Sequence, residues 1–197
     1  MKRTIITFFF TLLISPFLQA GSATPEVYGI KFNEVFLCAS AECSQGIKIG
    51  GGDRINIADP YFTSNIGTLI DLKKANLGDT AYSHVKFNVD MRIVVKANTG
   101  SCYTFPTKIE AGYSDGTDDP KKYGEQIIQM DKDYVDCTGC SNVTEDSFDY
   151  THPLDGSYTK GTGQSIVWNV NVANAVQFDK CEIGPDKPYL HFEVKSF

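Results

Sequence analysis

The sequence predicts an all-β fold, an antiparallel β-sandwich with long loops and at most one short helix. Three observations carry this. Apolar and polar residues alternate with a period of two in several stretches, turn-forming residues interrupt those stretches at short intervals, and no long segment sustains a helical period. With 42% hydrophobic and 21% charged residues among 197, the chain holds enough apolar material for one core.

The first segment is an address. Met1, Lys2 and Arg3 precede an apolar run from Ile5 to Leu18 that only Thr7, Thr11, Ser15 and Pro16 interrupt, which is the pattern of a secretory signal peptide over residues 1–23. Gly21 and Ala23 supply the small residues wanted before a cut at Thr24. A cut after Ala20 is less favoured because Leu18 then takes the position three residues ahead of it. No cysteine lies at the junction to carry a lipid anchor, and no later segment is apolar enough to cross a bilayer. Residues 24–197 are then one exported domain, periplasmic, on the cell surface or extracellular. Removing Lys2 and Arg3 leaves 16 basic against 24 acidic residues, a net charge of −8. Such acidity argues against binding nucleic acid or anionic membranes.

Strands follow in order. Tyr28, Ile30 and Phe32 share one parity and Val35 and Leu37 the other, so a bulge near Asn33 and Glu34 is expected. Short candidates come next at Gly46–Ile49, Arg54–Ala58 and Ile66–Leu72. Asp71 to Leu77 is the one place for a turn or two of helix, stopped by Gly78. From Val85 to Val95, Val85, Phe87, Val89, Met91, Ile93 and Val95 alternate with Lys86, Asn88, Asp90 and Arg92, predicting one long strand with a dry and a wet face. Cys102–Phe105, Lys108–Ala111, Gln126–Met130 and Val176–Cys181 are further short candidates. Ile166, Trp168, Val170 and Val172 repeat the alternation, as do Leu190, Phe192 and Val194, and Trp168 belongs to the core. Gly50-Gly51-Gly52, Asn98-Thr99-Gly100, Asp115-Gly116 and Asp155-Gly156 carry turn chemistry. Residues 112–124 and 136–164 read as irregular.

Export decides how the six cysteines are read. An even number in an oxidising compartment implies three disulfides. The two close pairs Cys38–Cys43 and Cys137–Cys140 leave Cys102 to meet Cys181. That bridge closes the longest loop and constrains the unfolded chain most, by roughly 4 kcal/mol.

Catalytic spacings are scarce. His84, His152 and His191 stand in no metal-ligand spacing, and nucleophile-elbow, P-loop and dinucleotide fingerprints are missing. Cys137-Thr138-Gly139-Cys140 could support disulfide exchange, but Asp131, Asp133 and Asp136 precede it and would raise a thiol pKa, so a structural bridge is expected. Those three acids, with Asp115, Asp118 and Asp119, offer oxygen ligands that make calcium the one cofactor to consider, although Val135 breaks the EF-hand order. Tyr113, Tyr123 and Tyr134 lie among polar loop residues and could stack on a sugar or meet a protein partner.

Tyr28-Gly-Ile-Lys-Phe-Asn-Glu-Val-Phe-Leu-Cys38, Leu69-Ile-Asp-Leu72 and Gly78-Asp-Thr-Ala-Tyr-Ser-His-Val-Lys-Phe-Asn-Val89 together resemble a family of exported bacterial β-sandwich domains of unassigned function. The resemblance covers about Val27 to Val95. It implies a carbohydrate-binding-like or transthyretin-like fold and carries over no functional residues. The expected function is therefore a non-catalytic exported module for surface structure, adhesion or ligand binding. The alternatives are a carbohydrate-binding module using the loop tyrosines and a thiol–disulfide protein using Cys137 and Cys140. A filament subunit joined by strand addition lacks a spare donor strand at the predicted mature N-terminus.

Overall fold

The computed structural model describes residues 21–61, 72–73, 75–107, 114–135, 137–186 and 188–196. In chain order its strands are β1 (Gly21–Ala23), β2 (Val27–Cys38), β3 (Ile47–Gly50), β4 (Arg54–Asn56), β5 (Tyr82–Asp90), β6 (Arg92–Lys96), β7 (Ser114–Asp115), β8 (Gln126–Gln129), β9 (Cys140–Ser141), β10 (Ser147–Tyr158), β11 (Gln164–Asn171), β12 (Val176–Asp179), β13 (Glu182–Pro185) and β14 (Tyr189–Ser196). They form two mostly antiparallel sheets packed together. The larger runs β11-β14-β10-β5-β2-β6-β8, with β3 and β4 on β2 and β9 on β10, and the smaller runs β1-β12-β13-β7. Among the described residues the helical content is two 3-10 turns, Pro120–Lys122 and Lys132–Tyr134.

β2 organises the larger sheet because its two halves have different neighbours. Residues 32–38 pair with β5, and 35–37 also with β3, whereas 27–29 pair with β6 and 29–31 with β4. The change falls at a register shift between Phe32 and Glu34, the bulge expected from the parity switch. Opposite it, the single strand expected over Val85–Val95 breaks at Met91 into β5 and β6. The break keeps the dry face, since Val85, Phe87, Val89, Met91, Ile93 and Val95 are all buried. Asp90 keeps the wet-face parity but is covered there by Arg92 and Lys31. Asp90 is 2% exposed and accepts hydrogen bonds from Arg92 N at 2.9 Å, Nε at 2.8 Å and Nη2 at 2.7 Å, with Lys31 Nζ 3.9 Å away. The Arg92 hydrogen bonds outweigh burial and hold this carboxyl below its usual range.

The core is continuous between the sheets. Phe87 lies 5.0 Å from Phe32, 5.1 Å from Trp168 and 5.4 Å from Phe192, ring centre to ring centre, and Trp168 and Phe192 meet edge to face at 4.8 Å. Ala23, Val176, Phe178 and Ile183 bring the smaller sheet into the same cluster. Tyr28 adds a polar tie by donating its hydroxyl to the Asp186 carbonyl at 2.7 Å.

The main departure from the sequence reading is β10. Its twelve residues lie in the stretch read as irregular, yet they run between β5 and β14. Phe148, Tyr150 and His152 sit opposite Val89, Phe87 and Val85. Asp155-Gly156, expected to be a turn, lies inside the strand where the register shifts between Pro153 and Tyr158, with Gly156 at φ 101°. Cys102–Phe105 is not a strand either. Tyr103 makes single-residue bridges to Asn98 and Thr117. Leu72, Lys73 and Ala75 adopt turns and bends where a short helix was expected. The strand candidates at 66–71 and 108–111 lie outside the described residues, as do residues 1–20 of the signal segment.

The cysteines pair as expected: Cys38–Cys43, Cys102–Cys181 and Cys137–Cys140, with Cα separations of 4.9, 5.4 and 5.3 Å. The long bridge ties the loop after β6 to the β12–β13 turn, where Lys180 and Cys181 take positive φ values of 49° and 65°. Removing it as Cys102→Ser/Cys181→Ser is expected to lower unfolding free energy by about 4–5 kcal/mol, against about 2 kcal/mol for Cys38→Ser/Cys43→Ser, by denaturant titration. Asp90 gives a pH signature. Its depressed folded pKa means that its contribution is fully present above the unfolded carboxylate range near pH 4. The contribution is lost as pH falls through the lower folded value. Denaturant midpoints measured from pH 7 downward should therefore fall less steeply for Asp90→Asn than for wild type.

Candidate functional site

At one end of the sandwich the segment after β4 meets the end of β11 across a shallow open cleft of about 280 Å³. Thr24, Ile57, Ala58, Asp59, Pro60, Val170, Asn171, Val172 and Ala173 line it. Both walls are shaped by asparagine and aspartate turns. Asn56 Oδ1 accepts from Tyr28 N at 2.9 Å and Ala58 N at 3.1 Å, Asp59 Oδ1 accepts from Tyr61 N at 2.8 Å, and Asn171 Oδ1 accepts from Ala173 N at 2.8 Å. Tyr61, 74% exposed, follows the wall residue Pro60. Tyr189, 65% exposed, stands opposite Asn171 in the β11–β14 register and stacks on His191 at 6.5 Å. Asp59 is the one ionisable side chain in the lining. A single carboxylate with apolar and amide neighbours suits holding a ligand better than moving protons.

The tyrosines singled out in the sequence do not converge on this cleft. Tyr123 packs edge to face on Tyr103 at 5.7 Å, donates its hydroxyl to Glu26 Oε1 at 2.8 Å and carries Lys96 Nζ 4.7 Å above its ring. Lys96 and Tyr123 together hold the Glu26 carboxyl below its usual range. Tyr134 closes the second 3-10 turn, and Tyr113 lies outside the described residues. The acids serve local turns. Asp119 caps the first 3-10 turn by accepting from Lys121 N at 3.0 Å, and Asp131 caps the second by accepting from Asp133 N at 2.9 Å. Asp115, Asp118 and Asp133 are exposed, and Asp136 is outside the described residues. Among the described residues no three His, Cys, Asp or Glu side chains come together to hold a metal ion.

Two polar constellations resemble catalytic pairs without their geometry. Ser83 Oγ lies 2.8 Å from His84 Nδ1 and 2.8 Å from the Ala39 carbonyl oxygen. The one hydroxyl proton is shared between two acceptors, the Ala39 carbonyl and, in the tautomer protonated at Nε2, the imidazole Nδ1. Tyr150 Oη meets His152 Nδ1 at 2.9 Å on the core side, where His152 packs against Phe192 at 5.1 Å. Burial pushes the Tyr150 phenol up and, with His191 and His84 nearby, pushes the His152 imidazole down. Both groups are therefore neutral near pH 7.

A third network was missed in the sequence because β10 was missed. On the outer face of the larger sheet, Asn33 Nδ2 donates to Asn88 Oδ1 at 2.9 Å and Asn88 Nδ2 to Asp149 Oδ1 at 2.9 Å. Asn142 Nδ2 and Lys86 Nζ reach Asp149 Oδ2 at 2.8 and 3.4 Å. Burial acts to raise the Asp149 pKa, and the Asn88, Asn142 and Lys86 contacts override it, so the carboxylate stays charged. Asn142 belongs to the loop after β9, so the network fastens that loop to the sheet.

Cys137–Cys140 is fastened there too. Cys140 N bonds to Cys137 O at 3.0 Å, Thr151 N bonds to Gly139 O at 2.9 Å, and Gly139, at φ 91°, lies so close to β10 that a Cβ would collide with the Thr151 carbonyl. Comparison with protein family models, curated proteins and solved structures finds no match to this chain. Gly139→Ala is expected to destabilise the protein by at least about 1 kcal/mol. It should also speed hydrogen exchange across residues 137–146 while leaving β12 and β13 protected, which mass spectrometry of deuterated peptides would read.

Proposed function

We propose that the chain is an exported β-sandwich that works by presenting a surface to a ligand or partner, in surface structure, adhesion or binding. The observation that carries the reading is how the polar and sulfur chemistry is spent. All six cysteines close structural bridges, and the C-x-x-C turn is locked against β10 by Gly139. Three disulfides also suit an oxidising, exported location. Among the described residues no helix is long and apolar enough to cross a membrane.

Export should cut the signal after Ala20. Gly21, Ser22 and Ala23 pair with Phe178, Gln177 and Val176, and Ala23 is buried, so a cut before Thr24 would remove β1 from the smaller sheet. Mass spectrometry of the exported chain should find Gly21 as its first residue, and a mass starting at Thr24 would refute this. Within the binding reading, a glycan is favoured by the two exposed tyrosines beside the cleft, Tyr61 and Tyr189, whose rings offer stacking area next to the Asn171 and Asp59 polar groups. A glycan-array signal that Tyr61→Ala and Tyr189→Ala each reduce about ten-fold or more would support it. A signal unchanged in both would move the ligand elsewhere. Native protein titrated with a thiol reagent should show no free thiol, and turnover of ester, glycoside or peptide substrates abolished by one point substitution would overturn the non-catalytic reading.

A further inference from the structure

We propose that the seam between β10 and β14 is an acid-sensitive joint: His152 holds it closed while its imidazole is neutral, and a proton on that ring frees the β11–β14 pair to shift against the rest of the larger sheet. The joint is thin. β10 pairs with β5 continuously from Ser147 to Pro153, and β11 with β14 from Gln164 to Asn171, whereas the parallel contact of β10 with β14 has one residue pair, Asp155 with Glu193. Pro153 has no N–H to add there, and the register shift that follows it carries Gly156 at φ 101°.

Side chains therefore do most of the joining, and His152 is central to them. Its ring meets that of Phe192 on β14 at 61°, 5.1 Å between centres, and its Nδ1 lies 2.9 Å from Tyr150 Oη. Phe192, 1% exposed, passes the contact on to Trp168 of β11 at 4.8 Å. A neutral imidazole protonated at Nε2 accepts the phenol proton at Nδ1. A second proton on the ring makes Nδ1 a donor and turns that bond round.

The groups around the ring oppose that proton. His84, His152 and His191 are the three histidines of the chain, and the strand order β14-β10-β5 sets them on neighbouring strands. From β5 the charge that reaches His152 is that of His84, and from β14 that of His191, while on β10 itself burial keeps the Tyr150 phenol protonated. The carboxylates of the seam are engaged elsewhere: Asp155 lies 3.8 Å from His191 Nε2, and Glu193 pairs with Lys195 at 3.2 Å. Burial, then repulsion from His191 and His84, holds the His152 imidazole below its usual range. The stability that the neutral ring contributes is fully present above the unfolded imidazole range, about pH 6.5, and is lost as pH falls from there through the lower folded value. A charge on His191 draws it towards Asp155, but at 36% and 71% side-chain exposure such a pair adds little. Val170 and Asn171 of β11 line the cleft, so a shift of this strand pair moves one cleft wall.

Hydrogen exchange of the exported protein between pH 7.5 and 5, corrected for the intrinsic pH dependence of amide exchange, tests this. Peptides covering 150–158 and 189–196 should lose protection about three-fold or more across that range, while β12 and β13 change much less. His152→Gln should abolish this local response, whereas Asp155→Asn should leave it in place. Protection that is unchanged at pH 5, a loss spread evenly over all strands, or a response that persists in His152→Gln would overturn the proposal. If His152→Gln fails to fold, NMR titration of the wild type decides: the His152 ring and the seam amides should share one midpoint, and separate midpoints would refute the link.

Discussion

The sandwich depends on one bend. β2 and the β5–β6 strand run antiparallel and must turn at the same level, because a slip of one residue in either would carry Phe32, Val35, Phe87 and Val89 from the dry face to the wet one. The bulge between Phe32 and Glu34 supplies the turn on one strand, and the break at Met91 supplies it on the other. Met91 N bonds to Asp146 O at 2.9 Å and Met91 O accepts from Met130 N at 2.8 Å, so the backbone groups freed at the break find partners. Asp90 closes the corner by gathering three donors from Arg92, a carboxylate whose burial is tolerable because each bond favours its charged form. Everything on either side, β3, β4, β8 and β10, takes its register from this corner.

What could be read in the sequence divides along physical lines. Period-two alternation located β2, the dry face of β5 and β6, β11 and β14, because those strands bury one side only and their side chains record it. The parity switch at Asn33 and Glu34 located the bulge for the same reason. β10 escaped because its inward residues are Phe148, Tyr150 and His152, two of them with polar tips, and because Pro153 and Asp155-Gly156 carry the chemistry of a turn. That chemistry serves a bulge here, which wants the same positive φ at Gly156. With β10 unseen, Asp149 had no strand, and the network joining it to Asn33, Asn88 and Asn142 had no way to appear. β1 and β13, of three and four residues, are too short for periodicity to register. The cleft was illegible in a different sense. It is made by turns on β4 and β11 that meet only in three dimensions.

Among the described residues the carboxylates are spent singly rather than gathered into one acidic site. Asp119 and Asp131 cap turns, Asp90 is held by Arg92 and Asp149 by Asn88, Asn142 and Lys86, Glu26 is held by Lys96 and Tyr123, and Glu34 pairs with Lys48 at 2.9 Å. Carboxylates used this way add local order rather than a focused field, so the negative charge is distributed over loops and corners. Tyr123 shows the same use of an aromatic group. Its ring and hydroxyl are both committed to joining the start of β2 to the end of β6 and the loop at Tyr103, whereas Tyr61 and Tyr189 keep most of their surface in solvent.

The covalent staples show where the fold resists opening. Cys38–Cys43 closes the turn after β2, Cys137–Cys140 closes the turn that leads into β9, and Cys102–Cys181 joins the loops of the two sheets. All three act on connections, none on β11. That strand is held instead by its ladder to β14 and by Trp168, which is 2% exposed and packed on Phe32, Phe87 and Phe192. A deep aromatic anchor fixes the inner face of the strand and the direction of its backbone. The same anchoring, with the ladder to β14, keeps Asn171 and the end of β11 fixed, so one wall of the cleft is braced from the core rather than by a loop of its own.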